Sequence, residues 1–165
     1  MNELPISTLH EFLVCDQATG VLTWRKSRGG NAPAGGIAGT VRTDGYRRVN
    51  IGGVGIPAHR VVFAMTHGRW PVGDLDHMNC LRDDNRPANL REASRAENMR
   101  NASLSQSNTT GHKGVTFDAS RGGFIAQIKV GDRRIHLGRH RTVESAAEAY
   151  RVAAQKHFGE FARAA

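Results

Sequence analysis

The sequence has only two cysteines, Cys15 and Cys80, and they form no CxxC pair. That excludes a zinc ribbon and a disulfide scaffold and fits a reducing cytoplasm. No apolar run approaches the length of a membrane span. The opening stretch MNELPISTLHEFLV carries acidic residues and no basic leader, so it does not read as a signal peptide. Glycines crowd SRGGNAPAGGIAG (27–39), but no GK[ST] follows, so this is no phosphate loop and reads as flexible turns. Aromatics are scarce at 6%. With 19 glycines and 39% hydrophobic residues, the chain predicts many turns and thin layers rather than one deep core.

What the chain does carry is positive charge. The formal net charge is +8, with a pI of about 10.5. A balance of this size favours a polyanionic partner, nucleic acid before membrane. Residues 1–107 hold 13 Lys+Arg against 10 Asp+Glu, and residues 108–165 hold 10 against 5. The C-terminal part is the denser polyanion binder.

Hydrophobic spacing divides the 165 residues. LPISTLHEFLV (4–14) predicts a short helix with Ser7 or Thr8 as cap. ATGVLTWR (18–25) predicts a turn into a strand. TVRT, Asp44-Gly45 and YRRVNI predict a hairpin, with Arg47 and Arg48 on opposite faces. HRVVFAMTHGRW (59–70) predicts a helix with Val62, Phe63 and Trp70 inward and Gly68 at its end. REASRAENMRN (91–101) is polar and helix-forming, and Asn89 would cap it. SLSQSNTTG (103–111) lacks apolar periodicity and reads as a linker. Beyond it come strands near 113–118, 124–130 and 133–138, then a helix over 142–157 capped by Thr142. Phe124, Ala126, Ile128, Ile135 and Leu137 share one sheet face, which Val143, Ala146, Ala147, Tyr150 and Ala154 would cover. Gln127, Lys129, Arg134 and His136 share the other face, free and basic.

The chemistry-bearing stretch is LDHMNCLRDDNRPANL (75–90). Phosphodiester cleavage needs a cation on the scissile phosphate and a base for the attacking water. A hard cation takes oxygen ligands, and histidine is the natural base near neutral pH. Asp76-His77 offers one of each. Asn98, projecting from a helix over 91–101, would close the metal site opposite Asp76.

The ordered set His59-Arg60, Asp76-His77, Asn85-Arg86, Asn89-Leu90 and Glu97-Asn98 resembles HNH endonucleases of the phage and homing type, over roughly 45–101. The resemblance implies a ββα-metal fold with His77 as general base and Asp76 and Asn98 as metal ligands. Asn89 would brace the loop that orients His77, while Asn85 and Arg86 would be structural or phosphate-facing. The cofactor implied is a divalent metal, magnesium first and manganese as alternative. Met78 stands where the family usually has Ile, and Cys80 where it has Gly, which matters if the turn needs φ > 0. His59 reads as a helix-start residue, and Trp24 and Trp70 as core.

A second resemblance covers nearly all of 111–161. Lys113-Gly114-Val115, the F-x-A-x-I pattern at 124–128, Leu137-Gly138 and the run from Thr142 to Tyr150 are similar to the Apetala-type (ethylene-response-factor) DNA-binding domain. It implies a sheet placed in the DNA major groove, with Lys113, Thr116, Gln127, Lys129, Arg134 and His136 at groove-facing positions. Thr116, Lys129 and His136 stand where the family has Arg or Trp, so base specificity does not transfer.

The sequence therefore predicts an α+β protein. A ββα-metal nuclease core lies within 1–102, a linker spans 103–110, and 111–165 form a three-stranded antiparallel sheet packed on one helix. The expected activity is metal-dependent cleavage of double-stranded DNA by a monomer or weak dimer, with no small-molecule substrate and no membrane. The expected setting is the cytoplasm of a bacterial host, from a phage or mobile element. The rivals are a DNA-binding regulator with a degenerate HNH part and a structural or packaging role.

Overall fold

Leu9 and Leu13 start the core, and they end up on different elements. The computed structural model, which describes residues 3–30, 32–101, 104 and 107–162, places Leu9 on α1 (Ile6–Phe12) and Leu13 on β1 (Leu13–Cys15). The helix is shorter than expected because Leu13 pairs directly with buried Trp24 of β2 (Leu22–Trp24). Neither Ser7 nor Thr8 caps it. Pro5 does, with its carbonyl accepting from Thr8 and Leu9, since proline pre-sets the backbone for a helix start.

The hairpin of β3 (Thr40–Val41) and β4 (Arg47–Ile51) turns at Asp44-Gly45, where Gly45 has φ 83°. A third strand, β5 (Val54–Pro57), pairs with β4, although its short length and terminal proline gave little strand signal. Val49, Ile51 and Ile56 point inward, where α2 (Ala58–His67) covers them with Val61, Val62, Ala64 and Met65. Gly68 ends α2 in the left-handed region, its N–H on the Ala64 carbonyl.

β6 (Asp74–His77) pairs antiparallel with β7 (Leu90–Ala93), Asp76 opposite Arg91 and His77 opposite Leu90. Residues 90–93 are therefore a strand and not the start of a helix over 91–101. Burial of Leu90 and Ala93 and the pairing of Arg91 with Asp76 outweigh the helical preference of Arg-Glu-Ala. The helix, α3, is confined to Arg95–Asn101. Asn89 is not its cap, because Asn89 closes a single 3-10 turn, Pro87–Asn89, ahead of the strand.

The chain divides into two units, 1–95 and 96–165, so nearly all of α3 belongs with the second. The boundary falls ahead of the 103–110 stretch where composition placed it. Within the second unit the Lys113 ammonium donates to the Arg100 carbonyl at 2.7 Å, and the Arg100 guanidinium lies 4.7 Å over the Phe158 ring. Nor is 108–111 slack. Asn108 Oδ1 accepts from Thr110 and Gly111, and Thr110 Oγ1 reaches the Val115 carbonyl.

The remainder is a sheet of β8 (Val115–Phe117), β9 (Phe124–Val130) and β10 (Arg133–His140), ordered β10-β9-β8, under α4 (Val143–Phe158). Thr142 caps α4 by accepting from the Ser145 N–H. Ala126, Ile128, Ile135 and Leu137 pack against Ala146, Tyr150, Ala153 and Ala154. A bulge between His136 and Gly138 shifts the register, so that Arg139 pairs with Ile125. Gly114 has φ 65°, and a Cβ there would lie 2.3 Å from the Tyr150 ring, so only glycine lets the chain pass. Among the described residues no helix is long and apolar enough to cross a membrane.

Candidate active site

The site begins at the end of β6, where both side chains of the Asp-His pair are out of solvent. Pleating sends Asp76 and His77 to opposite faces. On one face Asp76 meets its cross-strand neighbour. Arg91 Nε and Nη2 lie 2.9 and 2.8 Å from Asp76 Oδ2. On the other face His77 Nε2 lies 3.1 Å from Asn85 Oδ1. An amide oxygen only accepts, so this bond places the proton on Nε2 and leaves Nδ1 as the basic nitrogen.

Two rings wall His77. The His59 ring stands edge-on at 5.2 Å between centroids, and Tyr46 lies tilted at 5.8 Å from His77 and 5.4 Å from His59. His59 Nδ1 is buried without a hydrogen-bond partner. Burial first, then the neighbouring His77 and Arg60, push the His59 imidazole down to a pKa of about 3, so it is neutral at pH 7.

Residues 78–88 form the loop, and Asn89 ties its two ends together. The Asn89 carbonyl accepts from the Met78 N–H, and its Oδ1 accepts from the Asn79 N–H at 3.0 Å. Its Nδ2 donates to Asn79 Oδ1 and to the Asp84 carbonyl. Asn79 in turn donates to Asp84 Oδ2 at 2.6 Å and accepts from Leu81 N–H, spanning Cys80. Cys80 has φ 61°, the one non-glycine with positive φ among the described residues. The turn thus requires the conformation in which glycine costs least, and Cys80 adopts it at about 1–2 kcal/mol. Asp84 is held down to a pKa of about 2, first by hydrogen bonding from Arg86 and then from Asn79.

Arg86, expected to be structural or to face phosphate, gives Nε and Nη2 to Asp84 at 2.8 and 2.6 Å. Asp76, His77, Asn85 and Asn89 meet in one hairpin, while Asn98 stands half-buried on α3. In the second unit Thr116, Lys129, Arg134 and His136 are exposed and Gln127 half-buried, on the sheet face away from α4. Lys113 is instead occupied by the Arg100 carbonyl.

Sequence reasoning gave three contributors no role, and read a fourth, His59 of the HNH-like set, as a helix-start residue only. Tyr46 and His59 wall the histidine, and Arg139 reaches the open sheet face through the bulge. Gly20, at φ 67° in the turn after Asp16, presses on the Asn85 peptide, where a Cβ would lie 2.1 Å from the carbonyl oxygen. The Thr-Gly pair before a strand marks a turn, but nothing local marks what it touches.

Residues 57–100, short of half the chain, match the family model described as HNH endonuclease. No curated protein and no solved structure matches the chain.

Proposed function

We propose that the protein is a metal-dependent DNA endonuclease that hydrolyses a phosphodiester bond. The observation that carries this reading is the fixed His77, anchored by Asn85 and backed by Asn89, inside the stretch that matches HNH endonucleases. His77 Nδ1 takes the proton from the attacking water. Asn85 holds the ring by its far nitrogen, and Asn89 keeps the loop that carries Asn85 in place. His59, neutral, lets the imidazolium form without a second positive ring beside it.

The donor chemistry fits a magnesium-type ion, with manganese the alternative. Asp76 would bring a carboxylate and, as the HNH resemblance implies, Asn98 an amide oxygen, and such ions take one or two carboxylates plus water and phosphate. When bound, the ion supplies positive charge to the phosphate and the departing 3′ oxygen. Arg91 holds the Asp76 carboxylate by Oδ2.

The open sheet face of the second unit would position the duplex. Lys129 and Arg134 are exposed there without a protein acceptor among the described residues, and Arg and Gln suit guanine and adenine edges. One catalytic set per chain gives one nick per event, so double-strand cutting needs two chains or two events. The test is supercoiled plasmid with magnesium. His77→Ala is expected to slow nicking by roughly 10²–10⁴-fold while leaving DNA affinity unchanged. Nicking at the wild-type rate by His77→Ala, or in excess chelator, sinks the mechanism. The second reading is a DNA-binding regulator, favoured by Cys80 at the turn where the HNH pattern prefers glycine. Tight binding without nicking under any divalent metal would select it.

A further inference from the structure

We propose that Arg82 grips a DNA backbone phosphate flanking the one that is cut, with Tyr46 as its platform. This rests on the endonuclease reading and assigns the phosphate contact to a residue that the family comparison does not single out.

Most arginines of the first unit near the site are already committed to carboxylates. Arg47 gives Nε and Nη2 to Asp83, Arg86 to Asp84, and Arg91 both to Asp76. Arg60 pairs with Glu3 and Arg69 with Glu92. Each of these guanidiniums keeps spare N–H donors, but the carboxylate it faces offsets its charge. Arg82 is different. Its stem lies against Gly45, its Nη1 donates to the Asp44 carbonyl at 2.7 Å, and its guanidinium sits 5.2 Å over the Tyr46 ring. Its remaining N–H donors have no acceptor among the described residues. The nearby acids do not neutralise it. Asp83 and Asp84 are bound to Arg47 and Arg86, and Asp44 Oδ1 accepts from the Tyr46 N–H.

Other first-unit arginines also lack carboxylates, among them Arg42, whose N–H meets the Tyr46 carbonyl but whose side chain makes no stack on that ring among the described residues. Arg28 covers Phe12 and Trp24, and Arg48 reaches the Gly55 carbonyl. Among the described residues, only Arg82 stacks on the ring that also touches His77 and His59. One aromatic ring thus separates an exposed, uncommitted guanidinium from the proposed base. Stacking and the carbonyl bond hold the cation before substrate arrives, so engaging a phosphate costs little side-chain entropy. Its distance from His77 is fixed by packing rather than by a flexible stem, which is what register of a phosphate requires.

The experiment compares wild type, Arg82→Ala, Arg82→Lys and Arg86→Ala in the full-length chain. Binding to a duplex is measured from 50 to 200 mM salt, and single-turnover nicking of plasmid at saturating enzyme with magnesium. Arg82→Ala is expected to lower the slope of log affinity against log salt by about 0.9, the value of one neutralised phosphate. It should also slow saturated nicking about tenfold, because the phosphate is no longer held in register, with an unchanged thermal melt. Arg82→Lys should restore the salt slope and only part of the rate, since lysine keeps the charge without the planar stack. Arg86→Ala should lower the melting temperature and leave the slope alone. A wild type that binds and nicks while Arg82→Ala matches its slope and rate overturns this proposal by itself. A wild type that neither binds nor nicks overturns the endonuclease reading and this one together.

Discussion

The two units differ in how far their arginines are paired with carboxylates. In the first, five guanidiniums are turned back onto carboxylates of the same unit, and one of these pairs, Arg91 with Asp76, lies largely out of solvent. In the second, Arg139 and Arg151 pair with Asp118 and Glu148, but Lys129, Arg133 and Arg134 stand exposed without acceptors among the described residues. The first arrangement fixes side chains and stiffens a site. The second keeps charge available to a polyanion. A single net charge for the chain conceals this division of labour.

The sharpest way to break the contrast is Arg91→Leu. It removes the guanidinium from the buried Asp76 carboxylate, and losses of about 3 kcal/mol are typical of such a change. Thermal unfolding followed by calorimetry should show the transition of the first unit lowered by more than about 10 °C, with that of the second unchanged. An equal loss in both would mean that the pair is not a first-unit feature.

Acid should separate the units next. His59 is proton-free when folded down to a pKa of about 3, while an unfolded histidine binds its proton below about 6.5. Between those values the unfolded chain holds more protons, so stability rises with pH and is lost as pH falls. The slope is at most about 1.4 kcal/mol per pH unit. Melts across pH 4.5–7 should show the first unit losing stability, and His59→Phe should flatten that dependence. An unchanged slope would remove His59 as its cause.

The smallest effect on stability belongs to the open sheet. Lys129→Ala with Arg134→Ala should leave the melt within about 0.5 kcal/mol. For each phosphate these side chains neutralise in a DNA complex, the salt slope should fall by about 0.9. A destabilised fold with an unchanged slope would show these charges to be structural after all.

How far the sequence could be read follows the same line. The second unit is built from local signals. Strict alternation marks β9, and Thr142 and Gly159 bracket α4. Its bulge at Leu137 has no such signal, and neither does the placement of Arg139 that follows from it. In the first unit Asp76, His77 and Asn89 are visible because one hairpin carries them all. The strand at 90–93 is not, because Arg-Glu-Ala prefers helix until paired with 74–77, a fact that no window containing only those residues holds. Tyr46, His59 and Gly20 reach the site from far along the chain. Their roles depend on which surfaces meet, and spacing does not encode that. Arg86 and Lys113 show the converse, since residue type names them as phosphate binders while a carboxylate and a helix-end carbonyl have already taken them.

The Asn89 tie has a consequence for motion. Three successive amides of the loop, Met78, Asn79 and Cys80, donate to the Asn89 carbonyl, the Asn89 side chain and the His77 carbonyl. Such amides exchange with solvent only when the bonds open, so a stretch whose composition spells mobility is expected to show protection in hydrogen exchange. On the proposed endonuclease reading, a base that must meet a water within a fraction of an ångström gains from a loop without a soft hinge. In this protein stiffness is built by one asparagine rather than by longer strands.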